Sequence, residues 1–136
     1  MNLKSIIKKY KIILLVTFGS FNTDRFTSNS DIDIAFKSKK SLSKDDKLNL
    51  INDFITYFKR DKIDLVDIRS AEPLLLYEIA CNGKVLYEED NSFLNFKLYA
   101  SFRYADTKHL RQARKIYLNE LIRDLEKEVD YSMGGF

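Results

Sequence analysis

The chain has one cysteine, one histidine, one proline, four glycines and no tryptophan in 136 residues. Each scarcity removes a class of explanation. Cys81 has no partner in the chain, so no internal disulfide can form, and a reducing, cytoplasmic setting is expected. One proline and four glycines leave no composition for a flexible linker, and no repeat or low-complexity tract divides the chain. A one-signed charge excess is missing too. Twenty-three Lys+Arg against 20 Asp+Glu give +3, too mild by itself to argue for a nucleic-acid backbone as partner. Long apolar runs are also absent. The run Ile12–Phe18 follows four lysines and superficially mimics a secretory signal, but it has only seven residues and no A-x-A pattern follows it. Nothing approaches the ~18 apolar residues of a membrane span.

What is present suits a single folded domain. Hydrophobic residues make up 45% and aromatic ones 13%, far from the profile of disorder. A chain of this length is one domain by the prior of roughly 100–200 residues each. Residues 3–10 predict a short helix with Leu3, Ile6, Ile7 and Tyr10 on one face, and Ile12–Phe18, bounded by Gly19, predicts a buried strand. Asp31–Lys37 alternates, with Ile32, Ile34 and Phe36 on one side and Asp31, Asp33 and Ala35 on the other. Ser43 is placed to cap a helix whose core stripe is expected at Leu48, Ile51, Ile55 and Phe58. Lys62–Ile68 predicts a third strand. Ser70 is expected to cap a helix with Pro73 in its first turn and Gly83 at its C-terminal end. Lys84–Tyr87 predicts an edge strand, and Ser92–Val129 long helices with a stripe through Leu110, Ala113, Tyr117, Leu121 and Leu125, followed by a loose tail. The expected architecture is an α/β (α+β) domain: a small mixed sheet flanked by helices over residues 1–90, with residues 91–136 as its C-terminal helical extension.

The chemistry lies in Gly19-Ser20, ten intervening residues, then Asp31-Ile32-Asp33. Residues i and i+2 of a strand share a face about 7 Å apart, so Asp31 and Asp33 aim two carboxylates at one region. Like charges that close resist joint ionisation unless a cation lies between them. Mg²⁺ suits the task, since it prefers oxygen ligands and accepts substrate phosphates as further ones. A third carboxylate from a neighbouring strand would complete a two-metal site. The strand KIDLVDI offers Asp64 or Asp67, which alternation puts on opposite faces, so only one can join the pair. A helical turn starting at Gly19 would present free N–H groups to an anion, with glycine permitting close approach and Ser20 adding a hydroxyl.

The segment GSFNTDRFTSNSDIDIAF resembles the signature of the DNA polymerase beta-type nucleotidyltransferase superfamily, in particular its minimal nucleotidyltransferase branch. KIDLVDI and IACNGKVLYEED extend the resemblance to roughly residues 10–90. It implies that Asp31 and Asp33 are metal ligands, that Asp64 is the third carboxylate, that Gly19 and Ser20 meet the triphosphate of ATP, and that Asp67 is structural. The sequence departs from the family where a basic residue and a glycine commonly follow Gly-Ser. Thr23 and Asp24 stand there instead, and Arg25 is left to supply the positive charge. The branch implies a partner as well, a HEPN-domain ribonuclease toxin that such proteins inactivate by moving AMP from ATP to a tyrosine. Alternatives are a non-catalytic antitoxin that occludes its partner and a small-molecule, antibiotic-type nucleotidyltransferase. His109 and Cys81 are read as structural, the basic run Arg103, Lys108, Arg111, Arg114 and Lys115 as a solvated helix face, and Tyr99, Tyr104 and Tyr117 as core or interface residues.

Overall fold

The computed structural model describes residues 2–22, 27 and 30–134; for 22, 109 and 128–134 it describes the backbone alone. Asn2 caps the first helix, α1 (Leu3–Tyr10), its side chain accepting from the Ser5 amide at 2.8 Å. Lys11 then adopts a left-handed conformation and turns the chain into β1 (Ile12–Phe18). A 3-10 turn, Gly19–Asn22, leads towards β2 (Ile32–Ser38). Helix α2 (Lys44–Phe58) crosses over to β3 (Ile63–Asp67), α3 (Pro73–Asn82) follows, and β4 (Lys84–Glu88) precedes the single long helix α4 (Ser92–Gly134).

The strands form one mixed sheet in the order β3-β2-β1-β4. β1 runs antiparallel to β2 and β4, while β2 and β3 are parallel, which is why a helix must connect that last pair. Both faces are covered. Ile12, Leu15, Ile32, Ile34 and Phe36 meet Ile6 and Tyr10 of α1 and Leu50 and Phe54 of α2. On the other face Leu14, Val16 and Ala35 meet Leu76 and Ile79 of α3 and Phe96 and Ala100 of α4. The Tyr10 hydroxyl donates to Asp53 at 2.6 Å and ties α1 to α2.

The expected elements are present, with five local corrections. The buried residues of α2 are Leu50 and Phe54, whereas Leu48 is 59% exposed. The inward face runs Lys47, Leu50, Phe54, Phe58 because Lys47 reaches Asp67 beneath the sheet at 3.0 Å, and a charged residue in that row hides it from an apolar-pattern reading. Ser70 does not cap α3: the cap position is Glu72, without a side-chain bond, and Ser70 instead turns back to the Asp67 carbonyl. Gly83 ends α3 in extended rather than left-handed geometry. Glycine is needed there for space, since a Cβ would collide with the Ile79 carbonyl and the Val16 side chain. Cys81 is exposed rather than in the core. One helix replaces the several expected after Ser92, and it continues through Tyr131 to Gly134 where a loose tail was expected.

Candidate active site

Antiparallel pairing sets Phe18, the last residue of β1, opposite Asp33. The next residue, Gly19, therefore begins its turn directly beside the Asp33 carboxylate. It has φ +69°, and a Cβ there would strike an Asp33 carboxylate oxygen. Glycine is required twice over, by backbone conformation and by contact. On the other side of β2, parallel pairing sets Asp33 opposite Asp64. Residues directly opposite on neighbouring strands project from the same face, so Asp33 and Asp64 share the face that Val16 and Ala35 also use, and Asp31, just before β2, is near enough for its charge to act on Asp33. Asp67 is on the other face, held by Lys47 and accepting from the Arg69 amide at 3.0 Å. The choice between Asp64 and Asp67 is thus made by register.

The electrostatics follow from that placement. Burial, then the charges of Asp64 and Asp31 and a hydrogen bond with Asp64, hold the Asp33 carboxyl up at about 6. Glu78 of α3 adds a smaller push. That fourth carboxylate was missed in the sequence reading; it is exposed on α3, and only the packing of α3 against the sheet brings its charge to bear on Asp33. A proton on Asp33 relieves in the metal-free protein the repulsion that a divalent cation would also relieve. An all-oxygen donor set of this kind fits Mg²⁺, with Asp31, Asp33 and Asp64 as the residues that would hold it. Among the described residues no three acidic, histidine or cysteine side chains already enclose a cation position. The trio is an open face rather than a closed cage, as suits ions whose remaining ligands come from substrate phosphates.

A 3-10 turn does begin at Gly19, with Ser20 as its second residue. Thr23, Asp24 and Arg25 lie outside the described residues, and so does the side chain of His109. Arg60, which follows α2, donates to the Thr27 carbonyl at 3.2 Å and is a cation that the sequence reading did not connect with this loop. No helix among the described residues is long and apolar enough to cross a membrane.

A mixed sheet with one carboxylate on a central strand and another just before it, a third on the parallel neighbour and a Gly-Ser turn against them defines a nucleotidyltransferase fold. Residues 1–92 match the family model for polymerase beta, nucleotidyltransferase, and the chain belongs to that family. The match ends where α4 begins. The chain is similar to the protein adenylyltransferase MntA of Shewanella oneidensis, 27% identical over 114 residues, covering 82% of this chain and 78% of that protein. It is also similar to the protein adenylyltransferase MntA of Aphanizomenon flos-aquae, 32% identical over 103 residues, covering 65% of each chain. In fold it resembles a chain in the crystal structure of a toxin–antitoxin with AMP-PNP, with a TM-score of 0.69 and 24% identity over 88% of this chain and 95% of that one. It likewise resembles a chain in the complex of tri-AMPylated Shewanella oneidensis HEPN toxin with MNT antitoxin, with a TM-score of 0.63 and 23% identity over 88% and 92% of the two chains.

Proposed function

We propose that this protein is a metal-dependent protein adenylyltransferase that serves as an antitoxin, transferring AMP from ATP to a tyrosine hydroxyl of a HEPN-domain ribonuclease toxin. The observation that carries the reading is the position of Asp33, flanked by Gly19 on one side and Asp64 on the other. A triphosphate at the Gly19-Ser20 turn would lie against the carboxylates that handle the reacting oxygens. The similarity to MntA adenylyltransferases supports AMP as the group moved and a protein as its acceptor.

In the transfer the tyrosine oxygen forms a bond to the α-phosphorus, the bond from that phosphorus to the α–β bridging oxygen breaks, and pyrophosphate leaves. The hydroxyl proton passes to a carboxylate of the trio. Bound Mg²⁺ supplies charge neutralisation on the triphosphate and on the oxygens of an in-line displacement. Gly19 leaves room for the phosphates, the Ser20 hydroxyl and the turn amides donate to them, and Arg25 adds a positive charge to the same loop. Asp31, Asp33 and Asp64 position the acceptor oxygen and the ions.

Two measurements test this. Mg²⁺ is expected to strengthen ATP binding in a calorimetric titration, and Asp31→Asn with Asp33→Asn to remove the metal-dependent part; equal affinity with chelator and with Mg²⁺ counts against the assignment. Intact-mass analysis of the co-expressed toxin with Mg·ATP is expected to show added AMP with the native chain and none with the double variant. If both chains neutralise the toxin equally and neither adds mass, neutralisation is by occlusion.

A further inference from the structure

Beyond Thr107, α4 leaves the body of the protein. Every described side chain from Lys108 to Lys127 is exposed. This stretch nevertheless carries Leu110, Tyr117, Leu118, Leu121, Ile122 and Leu125, each between 43% and 68% exposed. Their spacings of three, four and seven residues gather them on one broad helical face. A helix alone in water is marginal and owes most of its stability to packing such a face. A monomer rarely presents a contiguous apolar patch larger than a few hundred Å². The face calls for a cover that the body does not provide, since every described side chain after Thr107 is exposed, while further back Tyr104 stacks on Tyr77 of α3 at 4.1 Å.

The charges say what the cover is. Between 108 and 115 the sequence has Lys108, Arg111, Arg114 and Lys115 and no acid. Between 120 and 130 it has five acids against two cations. The apolar face runs through both halves. We infer that α4 pairs with the α4 of a second copy of this chain, antiparallel, about a two-fold axis near Leu118–Leu121. In that arrangement the basic half of each helix lies along the acidic half of the other, and the interface is self-complementary, as a two-fold axis demands. Parallel pairing would set like charges side by side. A polyanion would engage the basic half only, leaving the apolar face open and repelling the acidic half. Lys108 to Gly134 extends about 40 Å at 1.5 Å per residue, so the two bodies stand at opposite ends of the helical pair and each carboxylate face remains open.

The test uses the full chain and two charge-reversal variants. One carries Arg114→Glu with Lys115→Glu, the other Asp124→Lys with Glu126→Lys; all four positions are exposed on the outer half of α4. Sedimentation velocity at tens of micromolar is expected to give a dimer for the native chain. Each variant alone should associate at least tenfold more weakly, and a one-to-one mixture of the two should recover a dimer. That recovery also demonstrates that both variants are folded. A native chain that stays monomeric overturns the inference, as does a mixture that fails to recover. If the native chain is monomeric alone and uses this face only to bind the toxin, the second-copy assignment is overturned in favour of that partner.

Discussion

The sheet and the outer half of α4 are built from the same apolar residue types put to opposite uses. In the sheet Leu14, Leu15, Ile32 and Ile34 are wholly or almost wholly buried between two helical layers. On α4 Leu110, Leu118, Leu121 and Leu125 face water. What differs is the surroundings, since a strand with helices over both faces has partners for every side chain and a helix past the edge of the body has none. The difference is that strand registers in the body bring distant side chains together, whereas outer α4 presents an apolar surface that the body leaves uncovered. On the readings proposed above, catalysis and association fall to separate parts of the chain.

The sharpest way to break that division is to remove one apolar side chain from each region. Phe54→Ala empties a site with no exposure and is expected to lower unfolding free energy by about 3–5 kcal/mol. Leu118→Ala should change the stability of the monomer by no more than about 0.5 kcal/mol. Urea denaturation at a concentration low enough to hold the chain monomeric reads both; a large loss for Leu118→Ala would mean that outer α4 folds back on the body.

A second comparison lies within one strand. Asp64→Asn is expected to slow AMP transfer at least about a hundredfold, an effect on the scale of losing one electrostatic contact to the transition state. Asp67→Asn, on the other face, should leave the transfer rate nearly unchanged and lower stability by about 1 kcal/mol through its bridge to Lys47. Single-turnover rates together with thermal melts separate the two, and a reversed outcome would sink the assigned roles.

The smallest effect is a pH dependence confined to the carboxylate face. Asp33 is held at about 6 in the folded metal-free protein, against roughly 3.9 unfolded. The native state thus binds more protons than the unfolded state between those values, and stability is expected to fall as pH rises from about 4 through 6. Allowing for solvent screening of a partly exposed group, this one carboxylate contributes about 1–2 kcal/mol of that fall. Melts of metal-free protein across that range should show the loss, Asp33→Asn should flatten it, and substitutions on outer α4 should leave it as it is. A slope that survives Asp33→Asn would assign the titration elsewhere.

Much of the body was legible because its signals are local. A seven-residue apolar run ending at glycine, an alternating strand and a serine three residues before an amide it can bind each act within one turn or one strand, and β1, β2 and the Ser43 cap fall where those signals put them. The inward face of α2 was not legible, because Lys47 belongs to that face only once Asp67 lies beneath it.

The spacing of Asp31 and Asp33 puts two carboxylates on one face wherever both lie in a strand; in the structure the strand begins at Ile32, so its geometry holds Asp33, and Asp31 stands just before it. Sequence spacing also told that Asp64 and Asp67 diverge, but not which of them meets the pair. That was decided by the parallel register of β2 against β3, a property of two strands separated by a helix. The same limit holds at both ends of the chain. Gly19 was recognisable as the end of a strand, yet its need to clear the Asp33 carboxylate exists only because β1 and β2 pair as they do. The stripe on α4 was visible as a stripe, but whether it is core or surface depends on where the body stops. Local patterns are set by bonds along the chain; proximity across it is set by packing, and only the folded molecule carries that information.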